Sequence, residues 1–563
     1  VLETGTAALG LGLGLLVLTA GPAGAAEQGE LVRVSPGKSP FADCKADKVK
    51  KQEGVNYPNT EIEPFVDANP ADHRNLIAVW QQDRWDNGGA RGLVAGYSKD
   101  GGGTWTKSVP PGVSACTGGD YKRASDPWVS ISPYGTAYFM SLAFDPDLTT
   151  PSGEFAGFGD NAMLVSRSTD GGANWGEPVT LIADTDPQIL NDKNSLTADP
   201  TNPSYAYAVW DRLRDFTVPP PGEPEAAVAA AAPQAGRAHP GMDGVEIARE
   251  RVKQLKAAAE AAAAAGAAQA APEETPAPEL EVVFEGPTYF TRTTDGGQSW
   301  EPARKIYDPG PNAQTIANQI VVPPSGNVID FFTHIFPNGV TSLELLRSFD
   351  KGASFEATPI QVDLIFPSFT GTITPDLQEP VRDASILFDV AVDPNTGALY
   401  AVWQDVRFRG VDEVAFAQSS DNGVSWSTPV RVNQTPPSSN LLRQQAFVPS
   451  IEVAAGGKLV VTYYDFRNDI GEGGELTDHW AVTCSADCAQ GASWGHELRL
   501  TDRSFDMLDA PIARGHFLGD YMGLVAAGDV VHPVFGIAER PDRTSVYTRR
   551  IELGGAGDVA VLP

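Results

Sequence analysis

Ser98-Lys-Asp100-Gly-Gly102-Gly-Thr-Trp105 decides how the chain is read, because the same eight-residue pattern returns four more times. The other copies are Ser168-Thr-Asp170-Gly-Gly172-Ala-Asn-Trp175, Thr293-Thr-Asp295-Gly-Gly297-Gln-Ser-Trp300, Ser348-Phe-Asp350-Lys-Gly352-Ala-Ser-Phe355 and Ser419-Ser-Asp421-Asn-Gly423-Val-Ser-Trp426. The leading Ser/Thr and the Asp carry oxygens that accept hydrogen bonds from backbone N–H groups inside a tight connection. Glycine supplies φ > 0 without a Cβ clash, and the aromatic five places after the aspartate returns to the apolar interior. Alternating apolar runs flank every copy, so each turn closes a β-hairpin.

This pattern resembles the Asp-box, or BNR repeat, of sialidases and other β-propellers, and the resemblance covers most of the chain. Seven segments look alike at their starts, among them Glu63-Pro-Phe-Val, Asp126-Pro-Trp-Val, Asn194-Ser-Leu-Thr and Val448-Pro-Ser-Ile, and each reads as an innermost strand. A second strand follows each, centred on Ala78-Val-Trp80, Ala208-Val-Trp210, Ala401-Val-Trp403 and their counterparts. Repeats of four antiparallel strands bury both faces by stacking radially, so the expected fold is an all-β propeller over residues 61–563. The count is seven blades, with six, the number general among catalytic sialidases, as the alternative. The seventh repeat lacks a fourth strand, and Leu31 to Val34, in the approach segment 27–60, is expected to complete it and remove an exposed edge.

Two stretches stand apart. Residues 1–26 contain an apolar run, Ala7 to Ala20, followed by Ala23-Gly-Ala25, and read as a signal peptide; the protein is expected to be secreted and without a membrane span. Residues 218–281 are rich in Ala, Pro and Glu and read as a low-complexity helical insertion within the third blade.

Four cysteines in an exported chain read as disulfides, Cys484 with Cys488 and Cys44 with Cys116, and no histidine or cysteine cluster completes a zinc site, so neither metal nor cofactor is expected. A formal net charge of −31 argues against nucleic acid, because phosphate binding needs clustered Lys and Arg. The partner expected is a carbohydrate, bound by a monomer.

The resemblance implies where chemistry would sit. The repeated turns specify the fold rather than a site. Sialidases carry an acid/base Asp in the loop after the second strand of the first repeat, and Asp86 is the match in Asp83-Arg84-Trp85-Asp86. Their nucleophile is a Tyr, for which Tyr521 in Gly515-His516-Phe-Leu-Gly-Asp520-Tyr521 is the candidate, with Asp520 or His516 as its base. Arg84, Arg407 and Arg467 follow second strands and are candidates for a carboxylate clamp. Glu379 and Asp383, in the long connection before the fifth repeat, are further candidates for pocket carboxylates. The family's Arg-Ile-Pro motif is here Ile62-Glu63-Pro64, which puts an acid where the clamp needs a base. Exo-α-sialidase chemistry is therefore set beside two alternatives: a non-catalytic propeller that binds glycans or proteins, and a hydrolase using two carboxylates on a neutral polysaccharide.

Overall fold

The computed structural model describes residues 29–150, 153–218, 282–383, 385–471 and 473–553, and the backbone of 559–560. The leader and all but the first residue of the 218–281 insertion lie outside the described residues. Within them the chain is all-β, with helical turns only of the 3₁₀ kind, and no helix is long and apolar enough to cross a membrane.

One pairing pattern recurs among the described strands. Glu61–Ala68, Leu76–Arg84, Ala90–Ser98 and Thr106–Ser108 pair in order, each antiparallel to the next. The second sheet repeats this with Arg123–Ile131, Ala137–Phe144, Asn161–Ser168 and Val179–Asp184. The third uses Ile189–Ala198, Ala206–Asp215, Thr288–Thr293 and Arg304–Tyr307. Sheets opening with Gln314–Val321, Phe388–Val392 and Ala446–Ala454 follow the same rule. The last runs through Gly523–Ala527, Val530–Glu539 and Arg543–Thr548, and Val32–Arg33 from the start of the chain pairs antiparallel with Tyr547 and Thr548. First strands of successive sheets pack side by side, and that of the last sheet packs beside that of the first.

Second strands lie between neighbouring sheets, which buries both of their faces: Leu76–Arg84 is buried at every position, and Trp80, Trp210 and Trp403 are wholly inside. The recurrent turns explain the spacing. In the first, the Ser98 hydroxyl accepts from Gly102 N–H at 2.9 Å, while Asp100 accepts from Thr104 N–H at 2.9 Å and from its hydroxyl at 2.7 Å. Gly102 has φ +85°, and the same position in the other four turns has φ between +79° and +87°. A Cβ would also strike the preceding sheet, Ile77 at Gly172, Tyr138 at Gly297, Phe290 at Gly352 and Leu345 at Gly423. The glycine is thus required twice, by backbone conformation and by the neighbour's close approach.

Disulfides join Cys44 to Cys116 and Cys484 to Cys488. The first ties the approach segment to the connection between the first two sheets. The second lies in the sixth sheet's hairpin, where Trp494 Nε1 donates to Cys488 O at 2.9 Å.

Candidate functional site

Five first strands carry a bulge at the same level, with a non-glycine residue in the left-handed region: Glu63, Asp126, Lys193, Ala317 and Val448. A bulge sets two residues against one and re-aims side chains. The first three bulges are charged, and their side chains meet. Lys193 Nζ lies 2.9 Å from Asp126 Oδ1, 2.8 Å from Asp520 Oδ2 and 3.8 Å from Glu63 Oε1. Arg382, from the long connection before the fifth sheet, forks onto Asp520 with Nε at 3.0 Å and Nη2 at 2.6 Å. It is held there because Val381–Arg382 pairs parallel with His516–Phe517.

Glu63, Asp126, Lys193, Arg382 and Asp520 are each at most 5% exposed. Burial, opposed by Lys193 and reinforced by Asp520 and Asp126, pushes the Glu63 carboxyl up to about 8. Burial acts on Asp520 in the same direction, but the Arg382 guanidinium and Lys193 ammonium outweigh it and hold that carboxyl well below the usual range. Around them, Arg84 Nη1 donates to Gln81 Oε1 at 2.7 Å, Gln81 Nε2 donates to Glu63, and the Arg84 and Arg382 guanidinium groups lie 5.1 and 4.3 Å from the Phe517 ring centre.

Beside this cluster, between the approach segment and the second and third sheets, opens a cleft of about 270 Å³. Leu142, Phe144 and Leu190 contribute apolar lining, Asn87, Asp147 and Asp192 polar lining, and Lys51, Glu53 and Lys122 further charged groups. Ser125 and Asp192 line the cleft while their chain neighbours Asp126 and Lys193 belong to the buried cluster. The bulges thus serve two compartments with adjacent residues.

Of the residues singled out from the sequence, Arg84, Asp520 and Tyr521 come together near the ring centre. Tyr521 is half-buried, its ring 5.4 Å from Trp128 and its hydroxyl donating to Pro127 O at 3.3 Å. Burial, then the negative Glu63 and Asp126, raise that hydroxyl well above its ordinary value. Asp520 is engaged by two cations rather than by the tyrosine. The His516 ring is buried, which lowers its proton affinity.

Other candidates sit elsewhere. Arg407 pairs with Asp405 at 2.9 Å and Asp363 at 3.3 Å. Arg467 pairs with Asp465 at 2.5 Å and with Glu497. Asp86 accepts from Val55 N–H at 2.8 Å, tying the approach segment to the first sheet. Asp383 accepts from Ser385 N–H at 3.0 Å, and Glu379 is exposed. Sequence reasoning missed Asp126, Lys193, Arg382 and Asp192. For the first two a signal existed: a charged residue directly before Pro or Asn at the head of an inner strand, as at Glu63-Pro64.

No family model matches the chain, and no curated protein matches it. Solved structures that align over most of it include the Hadza microbial sialidase Hz136, at 13% identity over 85% of this chain and 75% of that one, TM-score 0.41. An α-L-arabinanase of Penicillium chrysogenum complexed with arabinobiose aligns at 12% identity over 89% and 98%, TM-score 0.38. A protein of unknown function from Dyadobacter fermentans aligns at 10% identity over 89% and 96%, TM-score 0.40. All three likenesses are loose.

Proposed function

We propose that the chain is an exported, sialidase-like β-propeller of seven four-stranded blades that takes a sugar unit of a glycan into the cleft beside the ring centre, as a glycoside hydrolase. The observation that carries the proposal is the make-up of the cleft, in which apolar Leu142, Phe144 and Leu190 and polar Asn87, Asp147 and Asp192 line about 270 Å³. A sugar ring has an apolar face and a rim of hydroxyls, so it needs an apolar wall with a few convergent polar groups. Asp147 and Asp192 supply the two carboxylates that most glycosidases use, one as acid and one as base or nucleophile.

Exo-α-sialidase specificity is the narrower form. It requires Asp86 as acid, Tyr521 as nucleophile and arginines open to a ligand carboxylate. Against it, Asp520 already occupies Arg382 and Lys193, and Arg407 and Arg467 are bound to carboxylates of their own sheets. A neutral sugar is accordingly the substrate class preferred here. The same occupation of the central cations favours, as a second reading, a propeller that binds glycans without cleaving them.

A panel of fluorogenic glycosides distinguishes these forms. Release from a neutral pentoside or hexoside, reduced about 10²- to 10⁴-fold in Asp192→Asn, is the expected result. Release from a sialoside that disappears in Asp86→Ala would restore the exo-sialidase form and remove the cleft assignment. No release, with glycan-array binding lost in Phe144→Ala, would establish the binding form. No release and no glycan binding would end the carbohydrate proposal.

A further inference from the structure

One hydroxyl of the cleft has its hydrogen-bonding sense fixed from behind. Ser125 lines the cleft and is 7% exposed; it is paired across the sheet with Leu142, another lining residue, so the two side chains share a face. Its oxygen lies 3.0 Å from Nε2 of Gln81, which reaches it from the second strand of the first sheet. Gln81 and Arg84, on that same strand, are each at most 1% exposed.

A guanidinium has five N–H donors and no acceptor, so the Gln81 atom that meets Arg84 Nη1 at 2.7 Å is the amide oxygen. The amide nitrogen then has two protons to give, one to Glu63 Oε2 and one to Ser125 Oγ. Ser125 is thereby the acceptor in that bond. Among the described residues this is the hydrogen bond that Ser125 Oγ makes, and a hydroxyl carries one proton, so that proton is left for whatever fills the cleft. The lysines of the cleft are less fixed as donors: Lys51 is exposed, and Lys122 is taken by Asp145 at 2.7 Å.

We infer that Ser125 is a specificity-determining residue, a one-way donor to an oxygen of the bound sugar, and that Gln81 and Arg84 are the positioning residues that make it so. The inference rests on the reading of the cleft as a sugar site. A hydroxyl that can only donate discriminates: a sugar presenting an oxygen there is accepted, and one presenting only C–H leaves a buried donor unpaired. Arg84 then has a task that needs no carboxylate on the ligand.

The test uses the full chain and the methyl glycosides of glucose, galactose, mannose and xylose, titrated by calorimetry, followed by the deoxy and deoxyfluoro forms of the tightest binder at each hydroxyl in turn. Fluorine accepts a hydrogen bond weakly and donates none, so opposite a fixed donor the order of affinity is hydroxyl, fluorine, hydrogen. One position at which fluorine binds about three- to tenfold more tightly than hydrogen is expected in the parent. Ser125→Ala should abolish that preference, and Ser125→Thr should keep it. Gln81→Leu lets the hydroxyl turn and should reduce the preference, yet change nothing further in the Ser125→Ala background, which a general loss of packing would not reproduce. If Gln81→Leu does not fold, the two Ser125 variants carry the test. Glycoside binding without such a position, or a preference that survives Ser125→Ala, would overturn the inference and leave the sugar site standing. No binding by any of the glycosides would remove the sugar site and this inference with it.

Discussion

Arg382 holds Asp520 through both arms of its guanidinium, Nε to Oδ1 at 3.0 Å and Nη2 to Oδ2 at 2.6 Å, with both residues buried. Arg382 comes from the connection before the fifth sheet and Asp520 from the approach to the last, so the fork ties two connections across the ring centre. Arg382→Ala should cost about 3–5 kcal/mol, because it strands a buried carboxylate beside Glu63 and Asp126. Arg382→Ala with Asp520→Ala should cost less than the sum of the single changes. Denaturant melts of the four proteins check this, and additive losses would mean that the pair is not coupled.

Proton uptake should make the fold most stable in mild acid. An axial channel of about 170 Å³ is lined by Asp67, Asp389 and Glu452 among others. Burial pushes these carboxyls up to about 7, 7 and 8, and Glu63 up to about 8. Unfolded, they titrate near their ordinary values of about 4, so between about pH 4 and pH 8 the folded chain holds more protons. Stability from these groups falls as pH rises through that window and levels above it. Asp520 acts oppositely: its contribution is present above the ordinary carboxylate value and is lost as pH falls below it. Tm measured from pH 5 to 8.5 should decline, and Glu452→Gln should flatten the decline; a rising Tm would refute the assignment.

The clasp at the chain's start should be a stability determinant. Val34 N–H donates to Val546 O at 2.8 Å, Val546 N–H donates to Ser35 Oγ at 3.1 Å, and Val34 is wholly buried against Trp80 and its neighbours. Deleting residues 29–40 exposes the edge of Arg543–Thr548 and empties that part of the core. A clear loss of Tm is expected, and an unchanged Tm would show that the last sheet holds without it.

The two disulfides should differ in weight. Cys44–Cys116 closes 72 residues and Cys484–Cys488 only 4. Loop entropy assigns about 4 kcal/mol to the first and about 2 kcal/mol to the second. Paired Cys→Ser variants compared by denaturant midpoint should follow that order.

The turns and inner strands were legible because their signals are local: Ser98, Asp100, Gly102 and Trp105 act within eight residues, and Ala78-Val-Trp80 reports its own burial. The pairing of Val32–Arg33 with Tyr547 and Thr548 was legible from a missing partner at one end and a spare strand at the other. The central cluster was not, since its members are at 63, 126, 193, 382 and 520 and meet only through the ring. Arg382 lies in a connection with no strand pattern, so nothing in its surroundings marks it. Arg407 and Arg467 misled because an Asp-x-Arg after a strand reads the same whether the arginine faces a ligand or its own aspartate, and here Asp405 and Asp465 take it. The cleft depends on how the approach segment lies over the second and third sheets, which no single stretch encodes.

Val32 pairs with Thr548, so the last sheet combines a strand made before the first sheet with strands made after the sixth. A ribosome working at about 5–20 residues per second separates those two events by about 25–100 s. Throughout that interval the strand must wait unpaired while six sheets can form behind it. The ring therefore cannot close before Thr548 has been made, and the exposed edges at both open ends set the period in which a growing chain most needs protection from its neighbours.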